Sequence, residues 1–196
     1  MHHTQRGFTL VEAMVTVAVV VILAAVATPA LQAFVARTGM NTVRDDFAIA
    51  LQRARLDAIS RNTCVSVCQL AAPGSAVCAT NNLGQWHLGW VVFVNDSCGA
   101  APAGALPADQ VISVREPGNP RYQVTVNNAD TALVTFNPRG TLVQGMDTYQ
   151  VTDAEDAESA HKRSITLNLQ GRVQVAAYQE DEAEDEAPAE PVAAEQ

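Results

Sequence analysis

The chain has 196 residues, of which 48% are hydrophobic, and this length suffices for one modest domain with an appendage. The formal net charge is −9, but residues 179–196 hold eight acids and no base, which leaves 13 acids against 12 bases elsewhere. A nearly neutral body excludes the strongly basic class of nucleic-acid-binding proteins.

An apolar segment follows Arg6. From Phe8 to Phe34 the only ionisable side chain is Glu12. A bilayer core needs about 20 apolar residues in a helix, so this segment predicts a membrane-spanning helix. A base before the run favours a cytoplasmic N-terminus, which would place Arg37 and all later residues outside the cytoplasm.

Three explanations of this segment are open. A secretory signal peptide could be cleaved after Ala25-Val26-Ala27 and release a domain that starts at Thr28. A plain signal anchor would make Glu12 accidental, although insertion scales put an acid at a helix centre at roughly 2.5–3.5 kcal/mol unfavourable. In the third explanation, Glu12 has a partner within the lipid.

The stretch Gly7-Phe8-Thr9-Leu10-Val11-Glu12 resembles the processing signal of type IV pilins and type II secretion pseudopilins. The resemblance implies that residues 1–7 are a leader and that a prepilin peptidase cuts between Gly7 and Phe8. It also implies that Phe8 is then N-methylated and that Glu12 meets the Phe8 amine of a neighbouring subunit. Within one chain, helical i,i+4 spacing puts the same two groups on one face.

Pro29 lies inside the apolar segment, where it lacks an N–H and crowds the carbonyl of Ala25. A kink or local loosening is therefore expected in the membrane half of the helix, residues 8–36. Two interpretations are open: a hinge used during assembly, or a kink that the membrane tolerates.

After Phe34 the pattern becomes amphipathic, and one helix is predicted from Phe8 to Asn62, with Gly39 as a weak point. Its second half, residues 37–62, should pack on a globular domain. The apolar stripe that would form this contact comprises Met40, Val43, Phe47, Ala50, Leu51, Ala54 and Ala58.

Residues 63–178 alternate short runs rich in Val, Thr and Ile with turns such as Asn137-Pro138-Arg139-Gly140. They predict a small antiparallel β domain packed on the helix, hence an α+β, pilin-like fold. Trp86 and Trp90 are interpreted as packing residues of one strand rather than a sugar platform. The predicted strands are 64–69, 88–95, 110–115, 121–127, 132–137, 147–152, 163–169 and 172–178.

Four cysteines within 35 positions, after a membrane segment, favour disulfides in an oxidising compartment. Cys64 and Cys68 share one face of a strand and cannot easily bond each other. Of the three possible pairings, the preferred one joins Cys68 with Cys78 and Cys64 with Cys98, and the other two stay open.

Further stretches narrow the resemblance to the GspH/FimT branch of these families. They are Ala54 to Asn62 followed by Val65 to Cys68, then Trp86 to Asn95, and then Gly171-Arg172-Val173. The resemblance implies a minor pilin or pseudopilin, a structural or priming subunit of a type IV pilus or a type II secretion pseudopilus in the inner membrane. Its implied partners are the prepilin peptidase, other pilins and the inner-membrane assembly platform.

The same branch implies an alternative, DNA binding at a pilus tip through arginines near the Gly171-Arg172 strand. Gln174 stands where a second arginine could follow, and the neighbouring acidic residues would repel phosphate. Arg172 is therefore a weak candidate for a DNA contact.

No motif predicts catalysis, so we expect no enzyme, cofactor or metal. The acidic stretch 153–159 holds four acids without the spacing of a calcium loop, and a solvated loop is the preferred interpretation. Residues 179–196, acidic with two prolines, are predicted to be a disordered tail.

Overall fold

The computed structural model describes residues 9–81, 83–126, 132–156 and 162–177. One helix, α1, runs from Leu10 to Arg61, which corresponds to about 78 Å. Thr9 caps it, because its side-chain oxygen accepts the N–H of Glu12 at 3.2 Å. Asn62 ends it in the left-handed conformation at φ 51°. The predicted long helix is thus confirmed, while Phe8 lies outside the described residues.

The rest of the described chain forms nine strands in two antiparallel sheets. The larger sheet has the order β3-β2-β1-β5-β6 and the smaller one has the order β4-β7-β8-β9. The predicted α+β, pilin-like architecture is confirmed. The strands are β1 (Val65–Gln69), β2 (Trp90–Val94), β3 (Val111–Arg115), β4 (Tyr122–Val126), β5 (Leu133–Phe136), β6 (Leu142–Gln144), β7 (Asp147–Asp153), β8 (Arg163–Leu167) and β9 (Val173–Ala177).

Eight of these strands match the predicted ones, and three details of the prediction are wrong. The three-residue strand β6 was not predicted. Trp86 lies in a short 3₁₀ turn, Trp86–Leu88, rather than on the strand of Trp90. Gly39 is no weak point, since α1 continues through it and the Tyr122 ring contacts the helix where a Cβ would stand.

The main core lies between the second half of α1 and both sheets. The Phe47 ring centroid lies 5.0 Å from those of Trp90 and Tyr149 and 5.1 Å from that of Trp86. Since Trp90 belongs to β2 and Tyr149 to β7, one helix residue connects the two sheets. The predicted helix stripe is confirmed, with Ala50 partly buried, and the buried helix residues are Ala36, Met40, Val43, Phe47, Ala48, Leu51, Ala54 and Ala58.

A second, smaller core covers the other face of the larger sheet. Both disulfides lie in or beside it: Cys64 bonds Cys98, and Cys68 bonds Cys78. This is the preferred of the pairings that the sequence left open. Every residue of β1 is buried, because this central strand is covered on both faces. The disulfides therefore attach two connections to the central strand region: Cys78 lies between β1 and β2, and Cys98 lies between β2 and β3.

Candidate assembly surface

The first half of α1 is apolar and exposed. It contains a stretch long and apolar enough to cross a membrane, and the described domain buries none of that stretch. Residues 10–35 rise about 39 Å as helix, compared with about 30 Å for a hydrocarbon core. Exposed apolar surface on this scale exceeds the patches of ordinary soluble monomers. Its large exposed side chains are Leu10, Val11, Met14, Val15, Val17, Val19, Val20, Val21, Ile22, Leu23, Val26, Leu31, Phe34 and Val35.

Glu12 lies in the first turn of this apolar half. Its backbone N–H is satisfied by Thr9, and its carboxylate is exposed beside Val11 and Met14. An acid in the first turn interacts favourably with the helix dipole. Gly7 and Phe8, the predicted cleavage pair and the proposed source of the amine, lie outside the described residues.

Pro29 lies inside α1, which the structure shows as helix on both sides of the proline. The preceding residue, Thr28, donates its hydroxyl to the carbonyl of Ala24 at 2.7 Å. Proline itself leaves the carbonyl of Ala25 without its usual helical donor. The expected bend at this point stays a prediction.

Arg55 ties the far end of α1 to two turns of the β domain. Its Nε donates to the carbonyl of Gly140 at 2.8 Å, and its second terminal nitrogen donates to the carbonyl of Gln170 at 3.1 Å. Gly140 and Gly171 have φ of 74° and 72°, and a Cβ on Gly171 would collide with the carbonyl of Gly140. Glycine is therefore required at position 171, both for the positive φ and because the backbone there closely approaches the carbonyl of Gly140.

This contact joins two of the stretches that resemble the GspH/FimT branch. Arg55 belongs to the stretch from Ala54 to Asn62, and Gly171 belongs to Gly171-Arg172-Val173. Arg172, the weak DNA candidate, is exposed, and its backbone N–H donates to Oδ1 of Asn168 at 2.9 Å. The neighbouring Arg55 is engaged with two carbonyls, which leaves its charge less available to a phosphate. DNA contact by Arg172 stays a prediction that these contacts do not favour.

The end of the β domain that lies nearest the apolar half of α1 carries a partly buried ion pair. The Tyr122 hydroxyl donates to the carbonyl of Val35 at 3.4 Å, which places β4 beside the start of the buried helix face. Arg121 contacts the nearly buried carboxylate of Asp153 at 2.7 Å and the exposed one of Glu155 at 2.7 Å. Hydrogen bonds from Arg121 hold the pKa of Asp153 below its ordinary value.

Burial shifts the pKa of two further groups, Tyr149 and His87. It raises the pKa of the Tyr149 hydroxyl, to which the charge of Asp147 adds, and the hydroxyl donates to the carbonyl of Gly145 at 3.1 Å. It lowers the pKa of His87, whose Nδ1 is buried without a hydrogen-bond partner in the described part of the chain. Both rings thus remain uncharged parts of the folded domain at neutral pH.

A groove of about 520 Å³ opens between α1 and strands β2 and β3. Two of its charged groups are engaged with neighbours: Arg115 lies over the Trp90 ring at 4.7 Å and pairs with Asp46 at 3.0 Å. Across residues 9–81, 83–126, 132–156 and 162–177, no group of three His, Cys, Asp or Glu could hold a metal ion. In the acidic stretch 153–159, Asp153 belongs to the Arg121 pair, and residues 157–159 lie outside the described ranges.

Comparisons with known proteins agree with this architecture. Residues 44–171, more than half of the chain, match the family described as type II transport protein GspH. Residues 2–28 match the prokaryotic N-terminal methylation motif. No curated protein sequence matches the chain significantly.

Two crystal structures of the type IV minor pilin FimU from Pseudomonas aeruginosa PAO1 resemble the fold, each at 18% sequence identity. The crystal in space group P65 has a TM-score of 0.52 and covers 69% of this chain and 91% of its own. The crystal in space group P21 has a TM-score of 0.54 and covers 73% of this chain and 92% of its own. At this identity the likeness shows the shared fold.

Proposed function

Since the chain belongs to the family of the type II transport protein GspH, we propose that it is a minor pilin or pseudopilin. It would serve as a structural or priming subunit of a type IV pilus or of a type II secretion pseudopilus. The observation that carries the proposal is the exposed apolar half of α1, which follows a methylation motif and precedes a folded domain. The role is structural, and no catalytic step is assigned to the chain.

Processing is the first step of the proposed function. The prepilin peptidase removes residues 1–7 by cutting between Gly7 and Phe8, and it then methylates the new amine of Phe8. The match of residues 2–28 to the N-terminal methylation motif supports this step.

The processed chain is then anchored in the inner membrane by a single helix. Its N-terminus is cytoplasmic and its β domain periplasmic, an orientation that Arg6 before the apolar run favours. Residues 8–36 would lie in lipid and residues 37–62 on the domain, and this division agrees to within one residue with the start of burial on α1 at Ala36. Two disulfides are consistent with an oxidising compartment for the domain of residues 63–178.

Assembly depends on Glu12. In a bundle of apolar helices an unpaired charge is costly, whereas a carboxylate paired with an amine is tolerated. Glu12 of one subunit would meet the Phe8 amine of another, and this pairing would fix the axial register of the packed helices. Other pilins and the inner-membrane assembly platform are the partners. A bend at Pro29 would let the helix adjust as it enters the filament.

The Glu12→Ala variant tests this step. Removing one partner of a buried pair costs about 3–5 kcal/mol. We therefore expect normal cleavage and membrane insertion, but at least about tenfold less of the variant in sheared filaments. Quantitative immunoblotting of membrane and filament fractions measures both.

Thr16→Ala is the matched control, because it removes a polar group from the same helix without touching the charge pair. It should enter filaments as the wild type does. Wild-type incorporation of the Glu12→Ala variant would refute the role of Glu12 in register.

A further inference from the structure

The two disulfides differ in how far solvent reaches them. Cys68 and Cys78 are both buried and belong to the smaller core. Cys64 is buried as well, whereas its partner Cys98 is partly exposed, between the exposed residues 96–97 and 100. All four cysteines lie in the described part of the chain, and Cys98 alone among them is not buried. A thiolate from solvent therefore reaches the Cys64–Cys98 bond from the side of Cys98.

The backbone at Cys98 adds a second reason for attack at this position. Its φ is 55°, and Asn62 is the only other non-glycine residue with a positive φ in the described ranges. The N–H of Cys98 donates to the carbonyl of Asn95 at 2.9 Å, which closes a turn after β2. A residue with a Cβ is strained in this conformation, and it persists only when its surroundings enforce it. Breaking the disulfide removes one of these constraints.

Hydrogen bonds hold the same turn in place without help from the disulfide. The carbonyl of Gly99 accepts from Nδ2 of Asn95 at 3.0 Å and from Nε2 of Gln144 at 3.1 Å. Nδ2 of Asn95 also donates to Oγ of Ser66 at 2.9 Å, and this hydroxyl lies 2.8 Å from Oγ1 of Thr135. These contacts connect the turn to β1, β5 and β6. The turn should therefore stay on the domain when the disulfide is open.

We propose that Cys98 is a site of thiol–disulfide exchange on the folded domain, and that its reaction partner is a dithiol. One thiolate of the dithiol attacks Sγ of Cys98, and Cys64 leaves as a thiolate that takes up a proton. The second thiol, as a thiolate, then attacks the dithiol's own sulfur in the mixed disulfide, and Cys98 leaves and takes up a proton. Both cysteines are thereby reduced, and the dithiol is oxidised to a disulfide.

The order of reaction follows from access rather than from loop length. The Cys64–Cys98 bond closes the longer loop, 34 positions against 10, and so contributes more to stability. The rate of exchange depends instead on whether a thiolate can reach one of the sulfurs. Attack on Cys68–Cys78 needs a local opening of the smaller core, which slows it. Exchange at Cys98 does not depend on the proposed filament role.

A time course of reduction tests the proposal. The full-length protein, in neutral detergent micelles without denaturant, is treated with dithiothreitol at mildly alkaline pH. Samples are quenched with N-ethylmaleimide, and peptide mass spectrometry maps the labelled cysteines. We expect Cys64 and Cys98 to be labelled at least about tenfold faster than Cys68 and Cys78, because only the second pair must wait for a local opening. The tryptophan fluorescence should remain native while the first pair is open.

Two further measurements control the experiment. An excess of the monothiol β-mercaptoethanol, followed by an acid quench, should leave its adduct on Cys98 and a free thiol on Cys64. The Cys68→Ala/Cys78→Ala variant keeps only the Cys64–Cys98 bond and should react at the wild-type rate. The proposal is overturned if both pairs are reduced at the same rate, if Cys68 and Cys78 are labelled first, if the adduct forms chiefly on Cys64, if the variant reacts much more slowly than wild type, or if native fluorescence is lost together with the first reduction.

Discussion

Arg55 connects the C-terminal end of α1 to two turns of the β domain. Its place in the helix end was visible in the sequence, but its partners, the carbonyls of Gly140 and Gln170, are 85 and 115 positions away. Backbone carbonyls carry no side-chain signature, so no residue pattern could predict this contact. The glycines at positions 140 and 171 were the available signal in the sequence, and only the turn at Gly140 was predicted; both have positive φ in the structure.

Replacing Arg55 should destabilise the domain. Arg55→Ala removes two hydrogen bonds from a charged donor, and we expect the free energy of unfolding to fall by about 1.5–3 kcal/mol. Urea unfolding in mild detergent, followed by the fluorescence of Trp86 and Trp90, measures this change. Arg53→Ala, an exposed arginine two positions away, should change the free energy by about 0.5 kcal/mol or less. Equal effects of the two substitutions would contradict the role given to Arg55.

Asp153 should make the stability of the folded domain depend on pH in the acid range. Arg121 holds its folded-state pKa below the ordinary value of about 3.9, so the folded state favours the ionised form. The resulting stabilisation is complete above about pH 4 and is lost as pH falls through the lower folded pKa. Wild type should therefore exceed Asp153→Asn in stability at pH 6, and the difference should shrink below about pH 4. Thermal unfolding across that range measures it.

Asp109→Asn is the control for this prediction, because Asp109 is exposed. Its substitution should change stability little at either pH. A difference between wild type and Asp153→Asn that stays constant down to pH 2 would contradict the account.

At the scale of elements, apolar periodicity predicted the helix and eight strands, because each has a pattern long enough to recognise. Strand β6 was missed since three residues cannot show an alternation, and it is held by pairing with β5. The division into two sheets could not be predicted either. Partner choice depends on contacts such as those of Phe47 with Trp90 and Tyr149, which lie far apart in the chain.

The two disulfides close loops of different length and should therefore stabilise the fold to different extents. Cys64–Cys98 spans 34 positions and Cys68–Cys78 spans 10. Loop-closure entropy predicts losses of roughly 3.8 and 2.7 kcal/mol when each pair is replaced by alanine. Urea unfolding of the two double variants measures the difference, and each serves as control for the other. Equal losses, or a larger loss for the shorter loop, would contradict this expectation.

At the scale of the whole molecule, α1 divides into two halves with opposite surroundings. Up to Val35 its apolar side chains are exposed, and from Ala36 onward one face is buried in the domain. In water the apolar side chains of the first half would stay exposed, which is unfavourable. Lipid or the helices of neighbouring subunits would cover them. Family membership and fold agree with this division, and the proposed processing step explains why an acid lies near its start.

The mass of the mature N-terminal peptide is the decisive test of the proposed processing between Gly7 and Phe8. The protein is purified from membranes of cells with an active prepilin peptidase, and its first peptide is sequenced by mass spectrometry. The processed protein should begin at Phe8 with a methyl group on its amine. A chain that still carries residues 1–7, or one that begins at Thr28 after cleavage by signal peptidase, would contradict it.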